Sequence, residues 1–179
     1  MNRKLLIVGY GRHGKDTVAE LLRDNMGYKF ISSSEFVGRR CVWPQMKDDA
    51  SDTFGDYEFS YSSFEECYAD RANHRPYWAD AISAYNTPDK TRTASEMLEM
   101  GYDIYVGMRR RDELVPVKEK KIFDEIIWVD RSVHLPPEPK TSMDIEPTDA
   151  DTILDNNGSM ADLILNLQKL MGAEGATWI

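Results

Sequence analysis

Leu5, Leu6, Ile7 and Val8 run without a polar break and stop at Gly9, the pattern of a central strand covered on both faces. From Lys15 the period becomes helical: Val18, Leu21 and Leu22 share a face, Glu20, Arg23 and Asp24 lie off it, and Gly27 is placed to close the last turn. Residues 28–32 predict a short second strand, then a serine turn and a helix from about Ser34 with Ser33 as its cap. Residues 43–63 have no period and are rich in Asp, Ser and Tyr, which predicts a surface excursion or lid. A long helical stretch begins at Ser63, is interrupted at Thr87 and Pro88, and resumes until near Gly101. Residues 103–106 predict a short buried strand, a charged helix follows through Lys121, and residues 124–130 (DEIIWVD) predict another strong strand. Pro136, Pro137, Pro139 and Pro147 forbid a regular helix in the polar stretch that comes next. The chain closes with a strand in DTILD, an Asn-Gly turn and an amphipathic helix over 160–171.

Strands alternating with helices predict an α/β fold, a parallel sheet of about five strands with helices on both faces. Right-handed crossovers bring the strand C-terminal ends to one edge, where Gly9, Gly107, Asp130 and Asp155 would collect and where a ligand would bind. The length of 179 residues suits a single domain, 1–179, carrying a helical insertion over about 43–100 and a lid-like loop over about 131–148. Apolar residues at 41% and charged residues at 30% predict a globular chain. Five apolar residues near the N-terminus are too few for a signal core or a membrane span, so a soluble, unprocessed, cytoplasmic protein is expected. Cys41 and Cys67 have no metal or disulfide spacing, which fits a reducing compartment.

The net charge of −9 argues against a protein that coats nucleic acid generally. That charge is polarised: eight acidic residues and no Lys or Arg lie between Asp48 and Asp70, whereas Arg109, Arg110 and Arg111 adjoin one another.

Gly9-Tyr10-Gly11-Arg12-His13-Gly14-Lys15 matches GxxxxGK between a predicted strand and a predicted helix, the setting a phosphate-binding loop requires. Glycines let successive N–H groups turn inward, the helix N-terminus adds its positive end, and Lys15 brings a full charge to the β and γ phosphates. Magnesium needs a hydroxyl beside this loop; Asp16 stands where Ser or Thr is usual, and Thr17 follows one place late. Two other readings compete. The glycines could serve only a tight strand-to-helix connection, or GxGxxG could mark a dinucleotide fold. Against the second stand Lys15 itself and Ser32-Ser33-Ser34, where an acidic residue would end the second strand.

The loop G-x-x-x-x-G-K-D-T resembles that of phage deoxynucleoside monophosphate kinases, a thymidylate kinase-like group of P-loop kinases. The resemblance implies a P-loop NTPase fold, ATP and Mg2+ as cofactors, a nucleotide cradle of Gly9, Gly11, Arg12, His13, Gly14, Lys15, Asp16 and Thr17, and Thr17 with Asp16 on the metal side. The ending ADTILDNNGSMADLI also resembles dephospho-CoA kinases, in which such an Asp-Asn-x-Gly turn closes the site around the adenine. Taken together, GYGRHGKDT, SSSEF, YADRxNHR, YDIYVGMRRRDEL, IIWVD and DNNG are similar to phage kinases acting on 5-hydroxymethyldeoxyuridine in DNA, a step of thymidine hypermodification. The host cytoplasm would then be the compartment. One departure is Gly107, where related kinases end a strand in Asp-x-Arg.

Candidates for catalysis are Lys15, Arg109 at a strand end, Arg131 entering the proline-rich loop, and Asp70 or Glu35 as the base for an acceptor hydroxyl. Acceptor candidates are Ser34 and Glu35 after the second strand, with Arg71, His74, Arg75 and Trp78 in YADRANHRPYW. The competing account of that segment is two helical pairs, Asp70 with His74 and Arg71 with Arg75, around a core aromatic. Three functions remain open: a kinase acting on hydroxymethyluracil-containing DNA, a kinase of free deoxynucleoside monophosphates, and a nucleotide-binding regulator without transfer activity. No membrane partner is expected.

Overall fold

The N-terminal apolar run becomes β1 (Leu5–Val8), with every side chain buried. Its companions are β2 (Phe30–Ser32), β3 (Ile104–Val106), β4 (Glu125–Asp130) and β5 (Thr152–Asp155). All pairings are parallel, in the order β2-β3-β1-β4-β5. The computed structural model describes residues 2–44 and 61–178, so most of the surface excursion expected at 43–63 lies outside the described residues.

Period-two alternation divides the sheet's side chains between two cores. Leu5 and Ile7 join Ile104, Val106, Ile127 and Val129 on one face, covered by α1 (Lys15–Met26) through Val18 and Leu22 and by the C-terminal helix (Met160–Met171) through Leu163 and Leu167. Leu6 and Val8 join Tyr105, Ile126 and Trp128 on the other face, under Phe36, Met97, Leu114 and Val117. Each fully buried side chain of this size contributes roughly 1.5–3 kcal/mol, so the doubly covered central strands are the hardest part of the molecule to move. Among the described residues, no helix is long and apolar enough to cross a membrane.

The helices differ from expectation at their ends. α2 (Ser33–Val37) is capped by Ser32 rather than Ser33: Ser32 keeps the extended backbone of the strand and its Oγ accepts from the Glu35 N–H at 3.1 Å. The long stretch after Ser63 is divided into α3 (Phe64–Asp70), a 3-10 turn (Arg71–His74) and α4 (Arg75–Tyr85), because Pro76 has no N–H to continue a ladder and instead opens the next helix. α5 (Arg92–Glu99) follows. α6 (Arg111–Glu119) stops short of Lys121, which sits in the left-handed region at φ 50°. The C-terminal helix, α7, spans the expected residues.

A third cluster of Val42, Phe64, Cys67 and Trp78 holds α3 and α4 against the turn that follows α2. Gly38 permits it, since a Cβ there would lie 2.5 Å from the Trp78 ring.

The end of α4 is tied to α5 and α6 by a buried polar chain. Asn86 donates to Glu113 Oε1 at 3.1 Å and accepts from the Thr93 hydroxyl at 2.7 Å. Burial, and after it the charge of Asp112, pushes the Glu113 carboxyl above its ordinary range against the opposing Asn86 hydrogen bond. A raised acid binds its proton more tightly folded than unfolded, so this contribution is full below the ordinary carboxylate range and is lost as pH rises through the folded value. Glu113→Gln keeps the Asn86 acceptor and removes the ionisation. It should raise the thermal midpoint at pH 8 by a few degrees, about 1 kcal/mol, and change it little at pH 4. Equal shifts at both pH values in a melting series would contradict this.

Candidate active site

The loop between β1 and α1 meets the two requirements of an anion cradle: glycine where the backbone is left-handed, and glycine where something approaches closely. Gly14 has φ 93°, and a Cβ on it would lie 2.4 Å from Asn156 Nδ2. Gly9 has φ 145°, and its Cβ would lie 2.6 Å from the Val129 carbonyl oxygen. Arg12 is exposed and takes φ 64° without being glycine, a local strain of the kind that collects at binding loops.

Inside this loop the Lys15 ammonium donates to the Tyr10 carbonyl at 2.7 Å. Burial first, and the charge of Arg109 second, bring its pKa down to about 8. The Gly11 N–H donates to Glu138 Oε2 at 2.6 Å, and Arg109 Nη1 donates to both Glu138 oxygens at 3.0 and 3.1 Å. Burial opposes the charge on Glu138, but these donors hold its carboxyl below the usual range. A carboxylate therefore sits on the loop, between Arg109 and the glycine backbone, and the donor set fits a phosphate oxygen.

His13 has a structural part in the loop. Its ring is wholly buried, and Nδ1 accepts from the Arg131 N–H at 3.0 Å. The His13 carbonyl accepts from Asn156 Nδ2 at 2.8 Å. Burial, and more weakly Lys15, keep the imidazole pKa low. Tyr10 stands edge-on to His13 at 5.4 Å and to Trp128 at 4.9 Å. The turn after β5 is latched to the segment after β4: Arg131 donates to the Asn156 carbonyl at 3.0 Å, and Asn157 donates to Asp130 at 2.9 Å. Arg131 is thus engaged with this turn, while Arg109 faces the loop.

The two residues expected to serve a metal lie in the first turn of α1, Asp16 exposed and Thr17 half-buried. Among the described residues, no three or more His, Cys, Asp and Glu side chains gather into a metal cluster.

The acceptor-side candidates separate into two groups. The Tyr68 hydroxyl lies 2.9 Å from Ser32 Oγ and 3.2 Å from Ser34 Oγ, and the Arg71 guanidinium stacks on the Tyr68 ring 3.9 Å from its centroid. Ser33 Oγ reaches the Gly107 carbonyl at 3.4 Å, so this hydroxyl cluster lies along the same sheet edge as the glycine loop. Glu35 pairs with Arg39 at 3.1 Å. The second group surrounds Asp70, which accepts from Tyr61 and Asn73 at 2.6 Å each and lies 2.9 Å from His74 Nε2. These donors, Tyr61 foremost, hold the Asp70 carboxyl below its ordinary range, which makes it a weak proton acceptor. Arg75 is exposed, and Trp78 at 4% exposure belongs to the cluster with Val42, Phe64 and Cys67, where its ring has no open face for a base. The Asp70–His74 helical pair is present; the Arg71 side chain turns to Tyr68.

Sequence reasoning missed Glu138 and Tyr68. The one signal for Glu138 was an acid between prolines in PPEP; Tyr68 carried none beyond its place in an aromatic segment.

No protein-family model matches the sequence, and no curated protein matches it. Among solved structures the chain is similar to the protein TT1252 of Thermus thermophilus, at 17% identity and TM-score 0.47, with 98% of this chain and 100% of that one covered. It is also similar to a sugar kinase from Janibacter sp. HTCC2649, at 13% identity and TM-score 0.45, covering 97% and 96%. A shikimate kinase from Bacteroides thetaiotaomicron aligns at 9% identity and TM-score 0.49, covering 95% and 97%. The parallel order β2-β3-β1-β4-β5, helices on both faces, and a GxxxxGK loop between the central strand and its helix together make this an α/β P-loop NTPase fold.

Proposed function

We propose that the protein is an ATP- and magnesium-dependent kinase acting on a hydroxyl of a deoxynucleotide. The observation that carries this is the anion held on the glycine loop by the Gly11 N–H and Arg109, with Lys15 beside it. In the reaction, the acceptor oxygen attacks the γ phosphorus, the bond to the β–γ bridging oxygen breaks, ADP leaves, and the acceptor proton passes to a base. Lys15 and Arg109 neutralise charge on the transferring group, the Gly11 and neighbouring N–H groups orient it, and Thr17 with Asp16 serves the magnesium side. Arg131 helps fix the turn at 156–158 that closes the nucleotide site. Glu35, directly after Ser34, is better suited than Asp70 as the base, because Asp70 already accepts from several donors.

For the acceptor, the motif resemblance favours the 5-hydroxymethyl group of 5-hydroxymethyldeoxyuridine in DNA. The Ser34–Tyr68–Arg71 cluster supplies hydroxyl donors and a stacked cation for a nucleotide. A free deoxynucleoside monophosphate is the second reading, favoured by the net charge of −9, which disfavours a polyanionic strand.

Labelled ATP should be offered to each free monophosphate and to hydroxymethyluracil-containing DNA. Label in the DNA base is expected; label only in free monophosphates would replace the first acceptor with the second. Nucleotide binding with no transfer to either would leave a regulator.

A further inference from the structure

The proline-rich loop is anchored at both ends. On one side the Arg131 N–H donates to His13 and the Val133 N–H to Asn157. On the other, Met143 and Ile145 are buried in the core and the Asp144 carboxylate accepts from the Arg111 N–H at 2.6 Å. Between these anchors the chain is mostly exposed, yet Glu138 is half-buried, with Pro137 and Pro139 on either side restricting its backbone. Its carboxylate reaches a backbone N–H of the glycine loop 127 residues away in sequence, as well as Arg109.

An exposed Arg–Glu pair alone would mean little. The bond to Gly11 is what distinguishes this one, because a loop N–H aimed inward is a donor that a phosphate oxygen would take. A Cβ on Gly11 would lie 3.3 Å from the carboxyl carbon and both oxygens of Glu138, so the carboxylate sits directly against the loop backbone.

We propose that Glu138 is an internal competitor for the phosphate loop: its carboxylate occupies a phosphate position until nucleotide displaces it, and Arg109 then passes from Glu138 to the incoming phosphate. The proposal rests on reading residues 9–17 as a phosphate loop. Occupation by Glu138 reduces the fraction of molecules ready to bind, and the observed dissociation constant rises by the same factor. Arg109 and the Gly11 N–H also lose an anion when Glu138 leaves and regain one when phosphate arrives, so lid release and ligand entry are coupled.

The test is equilibrium titration of the full chain with inorganic tripolyphosphate and, separately, with ATP and magnesium. The wild type is compared with Glu138→Gln, Glu138→Ala and the control Glu146→Gln, whose carboxylate pairs with Lys140 at 2.7 Å rather than with the loop. Both Glu138 variants should bind both ligands roughly tenfold more tightly than wild type, and Glu146→Gln should bind as wild type does. Unchanged or weaker binding by folded Glu138 variants, with wild type still binding, would overturn self-occupation and leave the phosphate loop standing. If no variant and no wild-type protein bound either ligand, the loop reading would fall and this inference with it.

Discussion

Lys15→Ala is expected to lower kcat/KM for phosphoryl transfer by on the order of 10^3-fold and to weaken ATP binding by about 100-fold. The large effect follows from where the charge sits. Lys15 is the loop's own cation, its pKa is depressed to about 8 by burial and then by Arg109, and an arriving phosphate reverses that penalty by supplying a counter-charge. The sign for pH follows. Bound phosphate favours protonated Lys15, so affinity should be level below about pH 8 and fall as pH rises above it, by up to about tenfold per unit until the bound-state pKa is reached. Lys15→Arg should retain charge and lose this pH dependence, because a guanidinium does not titrate in that range. Isothermal titration between pH 6 and 10 reads both effects. A Lys15→Ala protein with unaltered affinity and rate would sink the nucleotide reading altogether.

Gly9→Ala is expected to cost about 3 kcal/mol or more of stability, near 10 °C in thermal midpoint, whatever its effect on ligand binding. Two penalties coincide there. The backbone is at φ 145°, and the new methyl would stand 2.6 Å from the carbonyl oxygen of Val129. That oxygen belongs to β4, which pairs with β1 from Leu5↔Glu125 to Val8↔Trp128, and both strands have buried side chains on both faces. Neither backbone can retreat without opening the ladder or a cavity. Gly27→Ala is the control: φ is 72° but nothing lies within 4 Å of the added methyl, so only the left-handed penalty of about 1 kcal/mol should appear. Chemical denaturation of both variants separates collision from conformation; equal losses would mean that the contact with Val129 does not matter.

Local patterns carried much of the fold. The run from Leu5 to Val8, the face of Val18 and Leu22, and the stop at Gly27 each lie within a few residues, so their periods can be read directly, and the strand and helix they predict are present. Boundaries shifted where the competing forces were also local but finely balanced. Ser32 and Ser33 can both cap; the extended backbone at Ser32 decides between them. The helical stretch expected to run unbroken from Ser63 to Thr87 is divided, and the place of Pro76 at the head of a new helix follows from its missing N–H.

The candidate site was legible on one side only. GxxxxGK between strand and helix is a contiguous signal, and it marked the loop on which the donors lie. The acceptor side was read from residue types in one crowded segment, and types do not say which way side chains turn. Trp78 could stack on a base or fill a core, and the small Gly38 beside it provides the space for the second. Asp70 could be a base, until Tyr61 and Asn73 are seen to donate to it.

By itself, then, the sequence determined the elements, their parallel alternation and the glycine loop, because each depends on neighbours along the chain. Tertiary structure alone decided that Asn156 closes over Gly14, that Tyr68 meets Ser32 and Ser34, and that Glu138 rests on Gly11. These partners are 34 to 143 residues apart, from Tyr68 with Ser34 to Asn156 with the His13 carbonyl. Such contacts follow from strand order and the path of the connecting loops, and no local period encodes them. Asp16 shows the division plainly. The chain alone places an acid after Lys15, whereas folding leaves it exposed on the first turn of α1 and brings a different carboxylate, from the proline-rich loop, onto the glycine loop.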